Sequence, residues 1–345
     1  MQATMVRGII HFSSAELARV LANYNIGTIS QIRPLIAGNN HAPKLVITSD
    51  KGTYLLKRRP HGKDDPARVA FAHSVQTLLA KRKFPLAPLV ASRQGQTMLH
   101  FDKHVYELFD FVIGSRYDGG AEATIDAGRQ LADFHTAVTD IIPPWTPTHS
   151  VFHDSRNVRR HITSIGTSKR FEQTAKIEKL AASLSVLYEN CSRNVTERGF
   201  NLWRKQMTHG DWHPGNMLFA EGKVVAVLDF DSMKSAPIVT DVANGMLHFS
   251  IVAGRPNPAH WPEYLDQAKL VQFLNGYRQR GTISARQLEI MIDLMIEAMI
   301  GEAVLPVAVT GKFGNLAGID FLEMIYRKCR WIDQNRKTLN EAIFA

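Results

Sequence analysis

The fold is constrained most by one eight-residue segment, His209-Gly210-Asp211-Trp212-His213-Pro214-Gly215-Asn216. Its glycines and its proline disfavour a continuous helix, so the segment is predicted to be a loop. A short hairpin is predicted directly after it, with strands over residues 216–219 and 224–229 and Glu221-Gly222 at the turn. Such a hairpin would place Asn216 and Asp229 near each other on adjacent strand ends.

Three side chains of this region have the chemistry that phosphoryl transfer from Mg-ATP requires. The reaction needs a base for the acceptor hydroxyl, oxygen ligands for Mg²⁺ and a cation on the phosphates. Asp211 is predicted to be the base, and Asn216 and Asp229 are predicted metal ligands, because Mg²⁺ prefers hard oxygen donors. Asn216 follows Asp211 by five positions, which matches the Asp-to-Asn interval of the protein-kinase catalytic loop.

Three further residues of the region allow more than one interpretation. Asp231 could bind a second Mg²⁺, directly or through water, or it could hydrogen-bond the loop, and a supporting role is slightly favoured. His209 and His213 bracket Asp211, and together the three could suggest zinc. A loop does not provide the helical spacing of such a site, so a zinc site is disfavoured.

The chain resembles the aminoglycoside phosphotransferase/choline kinase superfamily, including its homoserine-kinase-like and spore-coat-kinase-like members. The resemblance covers nearly the whole chain. Besides the catalytic loop and the acidic segment, it rests on a strand lysine, a hinge and a helix motif: Tyr54-Leu55-Leu56-Lys57, residues 107–114 and Gly128-Arg129-Gln130-Leu131-Ala132-Asp133-Phe134-His135. It implies an α+β, protein-kinase-like two-lobe fold, with a small antiparallel sheet in the N-lobe and a mainly helical C-lobe.

The same resemblance implies a nucleotide site made largely by the N-terminal lobe. Lys57 would neutralise the α- and β-phosphates of ATP. The other nucleotide-binding positions are a phosphate loop, two hinge backbone groups and two leucines around adenine: Gly38, Asn39 and Asn40; the Asp110 carbonyl and the Val112 amide; Leu218 and Leu228. A single glycine also fits a plain turn in the loop, and simple core packing would equally explain the leucines.

The resemblance also implies supporting roles for three residues. His209 would brace the catalytic loop, and His213 would order Asp211 or nearby backbone. Asp241 would buttress the loop as a structural residue.

Lys57 departs from the kinase pattern in its partner. Kinases pair this lysine with a glutamate on the following helix, but the predicted helix over residues 66–83 contains no glutamate, and Ala72-His73 occupies the expected place. Lys57 would then be held by phosphate alone or by an acidic group from elsewhere.

The resemblance also implies an N-terminal nucleotide-binding lobe over residues 1–109, a hinge over 110–114 and a mainly helical C-terminal lobe over 115–345 that contains the catalytic loop, the metal site and the acceptor pocket. The predicted helices and strands follow from apolar spacing and turn residues. The N-terminal lobe is predicted to have helices over 13–23 and 66–83 and strands over 28–35, 44–48, 53–57, 86–91, 98–101 and 105–109. The C-terminal lobe is predicted to have helices over 121–138, 170–190, 268–280, 284–302 and 320–340.

Composition excludes several classes of protein. Two isolated cysteines leave no disulfide framework or zinc cluster. The apolar stretch over 288–309 contains acidic residues, so it indicates a buried helix and not a membrane span. The net charge of +9 is dispersed, which disfavours nucleic acid as a partner. Without a secretory signal at the N-terminus the protein is predicted to be cytoplasmic. Its oligomeric state stays open.

The sequence leaves the phosphoryl acceptor open among amino alcohols, hydroxy-amino acids, sugars and aminoglycosides. Late helices mix acidic and basic side chains that could line its site, Glu297, Glu302, Asp320, Glu323, Arg327, Lys328 and Arg330. A nucleotide-binding pseudokinase that serves as a partner-binding module is the alternative. A protein kinase is disfavoured, because neither a Gly-x-Gly-x-x-Gly loop nor an Ala-Pro-Glu segment is present.

Overall fold

The computed structural model describes residues 12–36, 42–142, 151–168, 171, 174–253 and 256–345. The chain divides into two compact units. The first contains residues up to Ser115 together with Met217–Ala220 and Val225–Asp231. The second contains Arg116–Asn216, Glu221–Val224 and Ser232–Ala345. The functional boundaries at residues 109, 110 and 114 stay a prediction.

The first unit is built on a five-stranded antiparallel sheet with the order β1-β2-β3-β5-β4. Its strands are β1 (Ile29–Pro34), β2 (Lys44–Ser49), β3 (Gly52–Arg58), β4 (Met98–Phe101) and β5 (His104–Asp110). In the β3–β5 register Lys57 lies opposite Glu107, and Arg58 lies opposite Tyr106. Because side chains alternate along a strand, these two cross-strand pairs lie on opposite faces of the sheet.

Helix α1 (Ser14–Leu21) covers one face of this sheet. It begins at a capping box formed by Ser13 and Glu16, and its residues Val20 and Leu21 join a buried apolar cluster that includes Leu56. Helix α2 (Pro66–Lys81) starts at the cap Asp65 and brings His73 to Glu107 on the other face.

The second unit is mainly helical. Its helices are α3 (Ala121–Ala137), α4 (Arg156–Thr167), α5 (Ala175–Glu197), α6 (Val239–Ser250), α7 (Gln267–Arg278), α8 (Ala285–Glu289), α9 (Met291–Thr310), α10 (Gly318–Gln334) and α11 (Arg336–Phe344). Helices α3 and α7 pack closely because each has a glycine at the crossing. A Cβ on Gly128 would lie 2.1 Å from the Phe273 carbonyl oxygen, and one on Gly276 would lie 2.0 Å from that of Ile125.

Short strands frame the segment that contains the catalytic-loop motif. β6 (Gln206–Thr208) pairs with β9 (Lys234–Ala236), and β7 (Met217–Ala220) pairs with β8 (Lys223–Val227). Glu221 and Gly222 both have positive φ, 50° and 73°, as expected for the turn of the predicted hairpin. A last pair, β10 (Lys312–Phe313) and β11 (Leu316–Ala317), precedes α10.

The structure corrects three of the predicted elements. The strand predicted over 86–91 is wrong, since this segment makes isolated bridges at Leu86 and Leu89. Pro85 and Pro88 lack the N–H donors that a strand ladder needs. The helix predicted over 284–302 is two helices that separate at Ile290, and the helix predicted over 320–340 is two helices that separate at Asn335. Neither α4 nor α6 was predicted.

No helix in the described part of the chain is both long enough and apolar enough to cross a membrane.

Candidate active site

The segment from His209 to Asn216 is a loop that ends in a single 3-10 turn, Pro214–Asn216. Gly210 has a φ of 76°, which L-residues with a side chain rarely adopt. A Cβ at this position would also lie 2.3 Å from the Ser232 carbonyl oxygen. Only glycine therefore fits here, and the loop runs close beside the segment that leads into β9.

One buried carboxylate holds the start of this loop. Asp241, at the beginning of α6, accepts the backbone N–H of His209 at 2.6 Å and that of Gly210 at 2.9 Å. His135 Nε2 lies 3.2 Å from the same carboxylate, and His135 Nδ1 lies 2.9 Å from the Tyr277 hydroxyl. Burial opposes ionisation of Asp241, but His135 and these neighbours outweigh it and lower its pKa.

Asp211 is positioned by two residues further along the loop. Asn216 Nδ2 donates to Asp211 Oδ2 at 2.9 Å and to the Asp211 carbonyl at 3.0 Å. His213 Nε2 lies 3.5 Å from Asp211 Oδ1. His213 Nδ1 accepts the Gly215 N–H at 3.0 Å, so in a neutral ring the proton is on Nε2, facing Asp211.

These contacts favour an ionised Asp211. Burial raises the pKa of Asp211, but hydrogen bonding and charge from His213, with contributions from His209 and Asn216, outweigh it and lower the pKa to about 2. Its side chain is still 36% exposed. Asp211 is therefore available at neutral pH as a charged hydrogen-bond acceptor for a bound hydroxyl group.

Asp229 and Asn216 each present an oxygen that suits a metal ion. Asp229 Oδ1 is buried and has no hydrogen-bond partner among the described residues, so this oxygen is available to a ligand. Asp229 also has a φ of 58°, an uncommon conformation for a residue with a side chain. Asn216 uses its amide nitrogen for Asp211 and so retains its oxygen. Both residues fit the predicted Mg²⁺, and their role as ligands stays a prediction.

Asp231 is engaged by a cation. Arg59 Nη2 donates to Asp231 Oδ1 at 2.7 Å, and Arg59 Nη1 donates to Asp231 Oδ2 at 3.0 Å. This bidentate contact uses both carboxylate oxygens, which suits the supporting role predicted for Asp231 better than direct metal binding. The metal role of Asp231 stays a prediction.

Lys57 has an acidic partner on the neighbouring strand. Its Nζ lies 3.6 Å from Glu107 Oε2. Glu107 is fully buried, and its other oxygen receives Arg59 Nη2 at 2.8 Å and His73 Nε2 at 2.7 Å. Burial raises the pKa of Glu107, but the charges of Lys57 and Arg59 and the hydrogen bond with His73 lower it well below the usual range.

The predicted adenine-binding positions lie in the first unit. Val112 follows the end of β5, and its N–H makes no hydrogen bond within the described ranges. Leu218 and Leu228 are half-buried. A Cβ on Gly114 would lie 2.8 Å from the Leu218 Cβ, so the hinge glycine allows close packing against β7. The Asp110 N–H donates to the Pro88 carbonyl at 2.9 Å. Gly38, Asn39 and Asn40 lie outside the described residues.

The acidic residues considered for the acceptor are in different environments. Glu297 is fully buried and is bonded to His153 and Ser192. It lines a cavity of about 30 Å³, which has room for roughly one water molecule. Glu302 is half-exposed and lies 2.9 Å from His248 Nε2, and the His248 ring lies 5.7 Å from that of His213. Glu302 is therefore connected to the catalytic loop.

Two of the other charged candidates, Glu323 and Lys328, have partners of their own. Glu323 forms an ion pair with Lys176. Lys328 is buried and donates to the carbonyls of Val252, Pro262 and Tyr264.

The family model for the phosphotransferase enzyme family matches residues 31–281 of the chain. The chain belongs to this family. Membership makes it a small-molecule phosphotransferase, and the prediction of an enzyme of this class is confirmed. No curated protein sequence matches the chain.

Solved structures of phosphotransferases share its fold. A microcompartment-associated aminopropanol kinase has a TM-score of 0.71 at 14% identity, over 95% of this chain and 99% of that chain. The amicoumacin kinase hAmiN, in complex with AMP-PNP, Ca²⁺ and Ami, has a TM-score of 0.67 at 12% identity, over 94% of each chain. Choline kinase from Cryptosporidium parvum Iowa II has a TM-score of 0.62 at 12% identity, over 96% of this chain and 100% of that chain. The predicted α+β, protein-kinase-like fold is confirmed.

Two charged residues near Lys57 were missed by the sequence analysis. Glu107 is an acid with apolar or aromatic neighbours on both sides in the strand, and Arg59 directly follows the Lys57-Arg58 pair. A charged residue in the middle of a buried strand is a signal for a paired group. Its partner depends on strand register, which the sequence did not specify.

Proposed function

We propose that this phosphotransferase moves the γ-phosphoryl group of Mg-ATP to a hydroxyl group of a small molecule. One observation carries the proposal: Asp211 is a partly exposed carboxylate that Asn216 and His213 contact, on a loop that Asp241 fixes. Nucleotide use is supported by the similar hAmiN structure, which is a complex with AMP-PNP.

In this mechanism the acceptor hydroxyl donates a hydrogen bond to Asp211. As the hydroxyl oxygen forms its bond to the γ-phosphorus, the bond from that phosphorus to the β–γ bridging oxygen breaks and ADP leaves. Asp211 takes the hydroxyl proton. His213 and Asn216 keep the carboxylate oriented through this step, because both contact it directly.

The remaining residues bind the nucleotide. Lys57 would place its ammonium on the α- and β-phosphates. Asn216 and Asp229 would hold Mg²⁺, which when bound neutralises phosphate charge. Leu218 and Leu228 would pack against adenine, and the Val112 N–H would donate to it.

For the acceptor we favour an alcohol that also carries an amine. Glu302 is a half-exposed carboxylate connected through His248 to His213, and such a carboxylate can bind an ammonium group. Two of the similar structures are kinases named for aminopropanol and choline. Hydroxy-amino acids, sugars and aminoglycosides are the other acceptor classes that the experiment below includes.

The deciding experiment measures ADP release from Mg-ATP with amino alcohols, hydroxy-amino acids, sugars and aminoglycosides, for the wild type and Asp211→Asn. We expect release that depends on one acceptor class, and a turnover roughly 10²–10⁴-fold lower in the variant because the base is lost. Asp133→Asn is the matched control, since Asp133 forms a partly exposed ion pair with Arg280.

Two results would contradict the proposal. Unchanged turnover in Asp211→Asn would remove Asp211 from the role of base. Nucleotide binding by the wild type without acceptor-dependent turnover would favour the nucleotide-binding module that lacks activity.

A further inference from the structure

We propose that Glu107 is the positioning residue for Lys57, and that Arg59 connects it to the acidic segment through Asp231. This inference rests on the proposed function, because it takes Lys57 as the phosphate-binding cation. It assigns to strand β5 a task that protein kinases give to a helix glutamate.

Strands β3 and β5 place Lys57 beside Glu107. Lys57 and Glu107 are directly opposite each other in the β3–β5 register, and their charged atoms lie 3.6 Å apart. Lys57 is 20% exposed and Glu107 is 1% exposed. The carboxylate is thus the fixed member of the pair, and the ammonium can reach a ligand while it stays in contact with its partner.

Two further partners surround the buried Glu107 carboxylate. A buried carboxylate is costly unless cations and hydrogen bonds surround it. Arg59 and His73 provide these at 2.8 and 2.7 Å, and both contact Oε1, which leaves Oε2 facing Lys57. His73 is on α2 in the place where a kinase-type glutamate was expected, so the helix here supports the carboxylate instead of supplying it.

Arg59 links Glu107 to Asp231, in the acidic segment that also contains Asp229. Arg59 Nη2 contacts both Glu107 Oε1 and Asp231 Oδ1, and Nη1 contacts Asp231 Oδ2 and the Lys63 carbonyl. The planar guanidinium fixes both carboxylates in one geometry. Lys57 and the segment that contains Asp229 are therefore held by one network within the first unit.

The opposite face of the same strands offers a matched control. Arg58 Nη1 lies 2.6 Å from Glu16 Oε1, and the Tyr106 hydroxyl donates to the same oxygen at 2.7 Å. Glu16 thus anchors Arg58, the last residue of β3, as Glu107 anchors Arg59, but Glu16 lies on the opposite face of the sheet from Lys57. A purely structural role for Glu107 predicts that Glu107→Gln and Glu16→Gln behave alike.

The experiment is calorimetric titration of Mg-ADP into the wild type, Glu107→Gln and Glu16→Gln, with a thermal melt of each. We expect Glu107→Gln to raise the nucleotide Kd roughly tenfold or more, because Lys57 loses its anchor. Glu16→Gln should lower the melting temperature but leave the Kd unchanged. Equal Kd values in the wild type and Glu107→Gln would overturn the inference.

A double-mutant cycle tests whether Glu107 acts through Lys57. In a Lys57→Met background, Glu107→Gln should change the nucleotide Kd little, because the anchored group is already gone. An undiminished effect there would contradict the inference. If Glu107→Gln does not fold, Glu107→Asp replaces it. This variant keeps the charge, but its shorter side chain places the carboxylate farther from Lys57, so we expect the same rise in nucleotide Kd.

The titration separates a failure of the proposed function from a failure of the role of Glu107. A wild type that does not bind Mg-ADP would refute the proposed function. A wild type that binds it only as tightly as Glu107→Gln does would refute only the role of Glu107.

Discussion

Asp241 and Glu107 are both buried carboxylates with a histidine partner, but they hold different parts of the protein. Asp241 accepts two backbone N–H groups and so fixes the main chain of the catalytic loop. Glu107 contacts three cationic or imidazole side chains and so fixes the position of Lys57. We therefore expect Asp241 to affect turnover and Glu107 to affect nucleotide affinity.

Among the variants that test this comparison, Asp241→Asn is expected to have the largest effect. Its amide can accept only one of the two backbone N–H groups well, so Asp211 would be misplaced. We expect turnover to fall roughly hundredfold with little change in nucleotide Kd. Steady-state kinetics and calorimetry measure the two quantities.

Asp126→Asn is the control for that variant. Asp126 is also buried and accepts a backbone N–H, that of Val224, at 2.9 Å. Similar losses of turnover in Asp241→Asn and Asp126→Asn would show that turnover depends on buried acids in general. Asp241 would then have no special role in the catalytic loop.

An intermediate effect is expected of Asp231→Asn. The variant keeps an oxygen for Arg59 but loses the charge, and we expect a rise of roughly three- to fivefold in nucleotide Kd. The Mg²⁺ concentration for half-maximal nucleotide binding should not change. Asp229→Ala, by contrast, should raise it. If Asp231→Asn raised this Mg²⁺ concentration as much as Asp229→Ala does, Asp231 would be a metal ligand. That result would contradict its proposed role as the partner of Arg59.

The smallest effect concerns acid stability. The pKa of Asp241 is lower than in an unfolded chain, because its hydrogen bonds, led by that with His135, outweigh burial. Its ionisation therefore stabilises the fold above the unfolded pKa of about 3.9, and this contribution disappears as the pH falls.

The stability difference between the wild type and Asp241→Asn should be about 1–3 kcal/mol near neutral pH. It should shrink below about pH 4. Urea unfolding at several pH values measures it. A difference that grows on acidification would contradict the sign of the pKa change.

The catalytic segment was largely predictable because its signals are local. Glycines and a proline indicated the loop, and Glu221-Gly222 indicated the hairpin turn. The pairing of Lys57 with Glu107 was not predictable, since it depends on the register of two strands that are far apart in the sequence. The segment over 86–91 was mistaken for a strand because its apolar residues were weighed more heavily than its prolines.

Helix α4 had a recognisable signal that was overlooked. Its buried residues Val158, Ile162 and Ile165 have helical spacing, and Ser155 caps its start. Arg159, Arg160 and His161 lie between the first two of these residues, and Thr163 and Ser164 between the last two, so the segment as a whole is polar. In α6, Asp241 was identified by resemblance, but its two backbone contacts depend on tertiary packing that no local pattern reveals.

The most direct test of the different roles of Glu107 and Asp241 is a side-by-side titration of Mg-ADP into Glu107→Gln and Asp241→Asn, with turnover measured on the same samples. We expect weakened nucleotide binding in Glu107→Gln, and near-normal binding with strongly reduced turnover in Asp241→Asn. Equal effects of the two variants on both quantities, or the reverse pattern, would contradict this expectation.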